Sequence, residues 1–240
     1  MSSEYDKVSA FHYAAYRPEL HKSILHSCLG NQKFTRGLDI GCGTGVSSVA
    51  LSHFCTNVIG VDPNEKMLSQ AVTEDNINYQ LMVGNNLPFA NGSFDICTYA
   101  GAWWYGKSQA LLEETIRVSA KNGTILLYDF ELDFKKIYNS LNLFPPDLGG
   151  YDHRSNFENL DTSSIQFVSE KTEEMELLLA PTEIGHLLCS EKPIYNQLVL
   201  KFGTIDTFDH LVKIVTDYFG QANIPVTAVT YYTLYRLLDF

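Results

Sequence analysis

Three glycines between an apolar run and a helical pattern constrain this chain more than any other feature. The apolar run 36–40 (RGLDI) leads into the glycine turn 41–45 (GCGTG), and a helical pattern follows over 46–54. A strand that turns into a helix through glycines lets the backbone approach a ligand without clashes from β-carbons. The Gly-x-Gly-x-Gly spacing differs from the Gly-x-Gly-x-x-Gly of nicotinamide oxidoreductases. No Gly-Lys-Ser/Thr follows either, so a phosphate-cradling loop is excluded.

Two carboxylates accompany the glycine turn. Asp39 stands two residues before Gly41, and Asp62 ends a second apolar run over 57–61. A carboxylate would repel a phosphate, whereas it would stabilise an ammonium or sulfonium group. At the carboxyl end of a neighbouring strand, Asp62 is placed to accept hydrogen bonds from both hydroxyls of a ribose. The alternative for Asp62 is a helix N-cap before Pro63, and the two roles are compatible with each other.

Strand and helix patterns alternate along the first half of the chain. Residues 8–29 have helical spacing, with a helix start at Pro18 and Glu19 that separates a short segment from a longer helix. The patterns that follow in chain order are the strand and helix that flank the glycine turn, strand 57–61, helix 65–72, strand 79–83, strand 94–98, helix 108–119 and strand 124–129. Helix 108–119 is amphipathic, with Leu111, Leu112, Thr115 and Val118 on its inner face. This alternation predicts a doubly wound α/β fold with a parallel sheet.

The alternation stops after residue 130. Residues 131–160 contain a breaker cluster at 145–150 (PPDLGG) and are expected to leave the sheet. Residues 165–179 fit either a strand or a helix, and the pattern does not decide between them. The remaining predictions are helices at 182–190 and 208–218 and a C-terminal strand at 226–237.

Composition narrows the class of protein. The 240 residues carry 28 acidic against 17 basic side chains, a formal charge of −11, and 45% of them are hydrophobic. That length and core content suit one α/β domain, and the acidic balance disfavours nucleic-acid and anionic-membrane partners. The five cysteines form no CxxC pair, no signal peptide precedes the first helix, and no metal-ligand spacing is present. We expect a cytoplasmic protein without a bound metal, active as a monomer or homodimer.

Four ordered segments resemble the class I S-adenosylmethionine-dependent methyltransferases over about residues 8–130. They are 37–45 (GLDIGCGTG), 58–68 (VIGVDPNEKML), 87–106 (LPFANGSFDICTYAGAWWYG) and 117–130 (RVSAKNGTILLYDF). The segments 13–18 (YAAYRP) and 103–105 (WWY) resemble the type 11-like small-molecule group that includes trans-aconitate methyltransferases. The resemblance implies a Rossmann-like, mostly parallel seven-stranded sheet with an antiparallel C-terminal strand, helices on both faces and a small helical cap. It implies one domain over 1–240, with a helical lid at 1–30 and cap insertions at 131–160 and 180–220.

The resemblance also implies where S-adenosylmethionine binds. The glycines 41, 43 and 45 would pass beneath its methionine part with Asp39 near the amino group, and Asp62 would take the ribose hydroxyls. Asn85 stands where such enzymes commonly have an acidic residue facing the adenine, and an asparagine can still accept that hydrogen bond. Tyr13 would join the N-terminal helix over the cofactor. The implied cofactor-binding residues are Tyr16, Arg17, Asp39, Gly41, Cys42, Gly43, Thr44, Gly45, Asp62, Pro63, Met67, Asn85, Asn86, Leu87, Ala100 and Gly101.

The sequence contains candidate residues for binding the methyl acceptor, but it shows no convincing catalytic dyad. The residues expected near the substrate are Trp103, Trp104, Tyr105 and His186, with His153 and Arg154 in the excursion that covers the substrate mouth. Trp103 stands where related enzymes often have a histidine, so it removes an obvious base and adds a flat apolar wall. We expect O-, C- or N-methylation of a small carboxylate-bearing or apolar metabolite by in-line displacement. The alternative is a degenerate homologue that binds the cofactor without turnover.

Overall fold

The computed structural model describes residues 8, 11–12, 15–147, 149–203, 205–220 and 222–239. The strands are β1 Phe34–Ile40, β2 Cys55–Asp62, β3 Ile77–Leu81, β4 Phe94–Ala100, β5 Ser119–Leu132, β6 Ile165–Leu179 and β7 Ile224–Leu237. The helices are α1 Leu20–Leu29, α2 Val46–Ser52, α3 Glu65–Leu68, α4 Trp103–Gly106, α5 Gln109–Val118, α6 Lys135–Leu141, α7 Pro181–Ser190, α8 Lys192–Phe202 and α9 Thr207–Phe219. Val8, Phe11, His12 and Ala15 are also helical.

The seven strands form one sheet in the order β3-β2-β1-β4-β5-β7-β6. Strands β1 to β5 pair in parallel, with β1 between β2 and β4. Strand β7 runs antiparallel to β6, because Leu238 N–H donates to Ser164 O near one end and Thr230 Oγ1 donates to Glu173 O farther along. The predicted mostly parallel sheet with an antiparallel C-terminal strand is confirmed.

The chain divides into two compact units. The sheet unit takes its described residues from Glu19–Phe130, Tyr151–Glu173 and Thr230–Phe240, and the helical unit from Met1–Pro18, Glu131–Gly150 and Glu174–Val229. Helices α6 to α9 all belong to the helical unit, which has its own buried core around Ile184, Leu188 and Leu211.

The sheet unit has a hydrophobic core on each face of its sheet. Along β5, Ile125 and Leu127 belong to one core, while Leu126 and Tyr128 belong to the other. Successive side chains of a strand point to opposite faces, so this alternation places α5 against one face and α1 and α2 against the other. Helix α5 buries Leu111, Leu112, Thr115 and Val118 as its sequence predicts, and its N-cap Ser108 Oγ accepts the Leu111 N–H.

One local prediction needed correction, a segment that the pattern left open is now assigned, and the sequence missed a helix. The helix predicted over 65–72 ends at Leu68, because Val72 N–H donates to Thr44 O and turns the chain back toward the glycine turn. The ambiguous segment 165–179 is strand β6, which pairs with β7 at the edge of the sheet. Helix α8 was not predicted. Its Pro193 lies in the first turn, where a missing N–H costs no helical hydrogen bond.

Candidate functional site

The glycine turn joins β1 to α2 and is held against β2. The N–H groups of Gly41 and Cys42 both donate to Val61 O, over 2.7 and 3.0 Å. Gly41 has a φ of 77°, and a β-carbon on it would collide with the β-carbon of Ala102. The backbone at Gly41 therefore approaches the chain after β4 more closely than any other residue type would allow.

Asp62 lies at the carboxyl end of β2 and binds the glycine turn directly. Its Oδ2 accepts the N–H of Gly43 over 2.9 Å, and its Oδ1 accepts the N–H of Asn64 over 2.8 Å. The N-cap of α3 is Asn64, whose side chain accepts the Lys66 N–H, so the N-cap alternative for Asp62 is wrong. An ionised carboxylate has about four acceptor positions, and these two bonds use two of them. Asp62 can thus brace the turn and still accept hydroxyl donors.

Asp39 is fully buried beneath the glycine turn. Its Oδ2 accepts Ser47 Oγ and Ser48 Oγ over 2.6 and 2.7 Å, and its Oδ1 accepts Thr98 Oγ1 over 3.1 Å. Burial raises the pKa of this carboxyl, and the three hydroxyl donors counteract that rise. Asp39 therefore fastens the first turn of α2 to β1 and β4, and its predicted contact with a ligand ammonium stays a prediction.

The other residues of the turn and of the segment after β2 differ in exposure. Cys42 is buried, and burial together with the charges of Asp39 and Asp62 raises the pKa of its thiol. Pro63 is exposed and Met67 half-buried, and the methyl group of Met67 would lie 3.3 Å from a β-carbon on Gly43. Apolar surface therefore adjoins the glycine turn beyond Asp62.

The segment after β3 presents two exposed asparagines. Asn85 Nδ2 donates to Ser108 Oγ over 3.2 Å, and Asn86 is bridged to Val83. The side chain of Leu87 lies in the core, and its N–H donates to Glu114 Oε2 over 2.9 Å. Of these predicted site residues, the two asparagines are the ones whose side chains face outward.

The three aromatic residues after β4 have different environments. Trp103 is 2% exposed and donates from Nε1 to Asn156 O over 2.8 Å, while its ring packs edge-on to Tyr99 and Phe157. Trp104 is 37% exposed and Tyr105 81% exposed. Trp103 is accordingly a core residue, and Trp104 and Tyr105 form the accessible part of the WWY segment.

A pocket of about 490 Å³ opens in the sheet unit beside the end of β4. Its lining residues come from β4 and the chain after it, β5, the segment 151–158, β6 and β7. They are Tyr99, Gly101, Trp103, Trp104, Leu127, Tyr128, Asp129, Tyr151, Asp152, His153, Arg154, Ser155, Asn156, Glu158, Glu170, Lys171, Thr172, Tyr231, Tyr232 and Thr233. This pocket adjoins Gly101, which follows β4 and which the resemblance implies for the cofactor site.

A hydrogen-bonded group of three side chains lies in this pocket. Tyr151 Oη donates to Asp129 Oδ2 and lies 2.8 Å from both that oxygen and Gly101 O. His153 Nδ1 lies 2.8 Å from the same Asp129 Oδ2. Burial, and then the Asp129 charge, raises the pKa of Tyr151, which therefore stays protonated near neutral pH. The sequence suggests a substrate-side role for His153, but nothing in its spacing singled out Asp129.

The predicted residues Tyr16, Arg17 and His186 lie in the helical unit, and Tyr13 lies outside the described residues. Burial and the neighbouring Glu183 raise the pKa of Tyr16. Arg17 Nη2 donates to Ser190 Oγ over 3.2 Å. His186 Nδ1 lies 2.9 Å from Nδ1 of His12, and burial lowers its pKa. Each of these residues has partners within its own unit, and its role toward a ligand stays a prediction.

Within the part of the chain that the structure describes, no three His, Cys, Asp or Glu side chains are grouped so as to hold a metal ion. None of the described helices has both the length and the apolar character needed to cross a membrane.

Residues 38–127 match the family described as "Methyltransferase domain". A methyltransferase of Dictyostelium discoideum is 29% identical over 117 residues, which cover 49% of this chain and 44% of the relative. The methyltransferase YcgJ of Bacillus subtilis is 34% identical over 102 residues, covering 39% of this chain and 40% of the relative. The chain thus matches less than half of the length of these curated relatives.

A solved structure extends the likeness to the fold of most of the chain. A type II methyltransferase from Anaeromyxobacter dehalogenans superposes with a TM-score of 0.67, covering 94% of this chain and 100% of that one. Its sequence identity is 16%, so this likeness shows the fold alone. The matched segment 38–127 contains the glycine turn, Asp62 and the end of β4.

Proposed function

We propose that this chain, whose residues 38–127 match the family described as "Methyltransferase domain", is a class I S-adenosylmethionine-dependent methyltransferase that transfers the methyl group to a small-molecule acceptor. The observation that carries the proposal is the hydrogen bond between Gly43 N–H and Asp62 Oδ2, within a turn where Gly41 has no room for a side chain. Such a turn, followed by a carboxylate on the next strand, suits a nucleoside whose ribose hydroxyls need acceptors.

The residues around the glycine turn fit S-adenosylmethionine. A β-carbon on Gly43 would meet only the flexible methyl group of Met67. Because Gly43 has no side chain, a ligand can lie directly on its backbone. We assign the ribose hydroxyls to Asp62 and the adenine face to Pro63 and Met67. We assign the adenine amino group to Asn85, whose amide oxygen can accept a hydrogen bond but carries no charge.

When bound, S-adenosylmethionine supplies an electrophilic methyl group on a sulfonium, and the protein has to align an acceptor with it and exclude water. Gly101 borders both the proposed cofactor site and the pocket, so the pocket is the natural acceptor site. Trp104 and Tyr151 present aromatic rings there, 5.9 Å apart between centroids. Aromatic faces attract cations as well as apolar groups, which suits the surroundings of a sulfonium.

A small molecule fits this pocket better than a macromolecule does. Ligand sites in proteins span about 300–1,000 Å³, and the pocket measures about 490 Å³. The formal charge of −11 makes a nucleic-acid substrate unfavourable. Resemblance to trans-aconitate methyltransferases, a cytoplasmic location and a monomeric or homodimeric state stay predictions.

Calorimetric titration with S-adenosylmethionine tests the proposal. We expect the wild type to bind and Asp62→Ala to raise Kd by about 10-fold or more, because hydrogen bonds to a charged group are each worth about 1.5–3 kcal/mol. The matched control is Asp95→Ala. Asp95 Oδ2 accepts the N–H groups of Thr35 and Arg36, in the same way as Asp62 but next to the start of β1. A folded wild type that does not bind would overturn the proposal, as would equal losses in the two variants.

The alternative is a protein that binds the cofactor without turnover. It is favoured by one observation, the uncharged and exposed Asn85 at a position that faces the adenine in the proposed arrangement. Transfer of a labelled methyl group from bound cofactor to a small-molecule extract separates the two functions. Labelled product establishes the enzyme, whereas tight binding without product establishes the alternative.

A further inference from the structure

The acceptor pocket contains a carboxylate and an imidazole in direct contact. Asp129, on β5, and His153, in the segment before β6, are joined through Oδ2 and Nδ1 over 2.8 Å, and both side chains are largely buried. Asp129 Oδ1 accepts the N–H of Phe130 over 2.7 Å, which fixes the plane of the carboxylate. The ring of His153 also lies nearly parallel to that of Tyr231, with centroids 6.0 Å apart. The imidazole is therefore oriented from two sides.

The hydrogen bond determines which nitrogen of His153 holds the proton. An ionised carboxylate only accepts hydrogen bonds, so Nδ1 must be the donor toward Asp129. In the neutral imidazole the lone pair then lies on Nε2. This is the arrangement in which a histidine takes up a proton at Nε2 while a neighbouring carboxylate stabilises the resulting imidazolium.

Tyr151 connects this pair to the end of β4. Its hydroxyl lies 2.8 Å from both Asp129 Oδ2 and Gly101 O. The pair thus lies one side chain away from the residue that borders the proposed cofactor site. An acceptor bound in the pocket would therefore be next to both the imidazole and the residue that borders the proposed methyl donor.

The charges of the pocket disfavour a carboxylate as the acceptor. Four acidic side chains line it, against two basic ones; the acidic residues are Asp129, Asp152, Glu158 and Glu170. Of the two basic residues, Lys171 forms an ion pair with Glu173 and Arg154 lies over the ring of Tyr231. A neutral or cationic acceptor would therefore enter more favourably than an anion.

We propose that His153, oriented by Asp129, is the general base for an acceptor whose reacting atom carries a proton, a hydroxyl or an ammonium group. The inference rests on the proposed methyl transfer. For a hydroxyl, the oxygen lone pair forms the O–C bond, the C–S electron pair returns to sulfur, and the hydroxyl proton moves to Nε2 of His153. The positive charge of the sulfonium thereby becomes that of the imidazolium beside Asp129, and the proton leaves to solvent after the product.

The chemistry of the labelled product tests the acceptor class. The wild type is incubated with methyl-labelled S-adenosylmethionine and a panel of alcohols, phenols, amines and carboxylic acids, and the products are treated with mild alkali. Methyl ethers and methylamines survive this treatment, whereas methyl esters release labelled methanol. Stable label supports the inference. Volatile label overturns it while leaving methyl transfer established.

The pH profile tests the role of His153. A general base must be unprotonated, so the wild-type kcat/KM is expected to fall as the pH drops and the imidazole is protonated. His153→Gln is expected to lose about 100-fold or more in kcat and to lose that acid limb as well. The matched control, His53→Gln, changes an exposed histidine of the same unit and should keep both the wild-type kcat and the acid limb. An acid limb that persists in His153→Gln overturns the inference.

Asp129 is a positioning residue, and ¹⁵N NMR of the His153 ring reads its effect without turnover. In the wild type, Nδ1 is expected to carry the proton in the neutral ring, with Nε2 taking up the second proton on acidification. In Asp129→Asn this preference for one tautomer should disappear. A wild-type ring protonated at Nε2 when neutral overturns the inference. Cofactor binding without any labelled product also overturns it, whereas failure of the cofactor to bind overturns the proposed function itself.

Discussion

Gly41 and Ala102 are packed so tightly that a β-carbon on Gly41 would overlap the β-carbon of Ala102. Gly41 ends the connection from β1, and Ala102 follows β4, the strand paired with β1. Two chain segments at the carboxyl ends of adjacent parallel strands are thereby fitted to each other. Ligands of open α/β sheets bind at this edge. The contact therefore determines how closely the two backbone segments approach each other beside the proposed cofactor site.

Gly41→Ala is expected to lower the free energy of unfolding by about 3 kcal/mol. One part is the left-handed backbone, since Gly41 has a φ of 77° and a side chain there costs about 1–2 kcal/mol. The other part is the overlap with Ala102, and overpacking of this kind costs about 1–3 kcal/mol. Urea unfolding of the purified variant measures the sum.

Two further variants separate these parts. Gly84 has a φ of 61° with nothing within 4 Å of its would-be β-carbon, so Gly84→Ala reports the cost of a positive φ without an overlap, about 1–2 kcal/mol. Adding Ala102→Gly to Gly41→Ala should recover the overlap part in a double-mutant cycle. The tight contact is refuted if Gly41→Ala costs no more than Gly84→Ala.

Trp103 and Trp104 are adjacent in sequence, but replacement by phenylalanine is expected to destabilise the protein much more at Trp103 than at Trp104. Trp103→Phe leaves Asn156 O without its donor and opens a void between Tyr99 and Phe157, so it should cost about 2–4 kcal/mol. Trp104→Phe changes a partly exposed ring and should cost about 0.5 kcal/mol or less. Thermal unfolding of both variants measures the difference, and equal costs would contradict the assignment of Trp103 to the core.

The hydroxyls around Asp39 can be tested within one helix. Ser48→Ala removes a donor from a buried carboxylate and is expected to destabilise the protein by about 1–3 kcal/mol. Ser52→Ala removes a hydroxyl that donates to Val49 O in the same helix α2, and its expected cost is about 0.5 kcal/mol. Denaturant midpoints compare the two, and a Ser48→Ala variant as stable as Ser52→Ala would contradict the network.

The parts of the fold that sequence predicted well are those set by local periodicity. Helix α5 shows this, because all four of its predicted inner positions are buried and their spacing lies within twelve residues. Strand β6 could not be predicted because its identity depends on pairing with β7, some sixty residues later, and Glu-rich segments of this kind fit helices equally well. Pairing partners distant in sequence decide such segments.

The candidate site divides in the same way. Asp62 was predictable because the end of a strand and the glycine turn mark its place in the sequence. Asp129 and His153 are separated by helix α6 and by the breaker cluster, so no spacing rule links them. Their contact arises only because Tyr151 and His153 return to the end of β5 after that excursion. Such a pair can be recognised in the structure but not from a pattern in the sequence.

The stability of the helical unit is expected to fall below neutral pH because of His12. Burial, and then the neighbouring His186, lowers the pKa of His12 from 6.5 to about 4. The unfolded chain therefore takes up a proton at a higher pH than the native state does. The stability due to the neutral ring is fully present above the unfolded pKa and is lost as the pH falls from 6.5 toward about 4, by up to about 3 kcal/mol.

His12→Phe can keep the stacking on Phe208 without titrating, so its unfolding free energy should lose about 2 kcal/mol less than that of the wild type between about pH 7.5 and about pH 5. Urea unfolding followed by circular dichroism measures this difference, with His53→Phe as an exposed control. Parallel losses in the wild type and His12→Phe would show that His12 does not set the acid sensitivity.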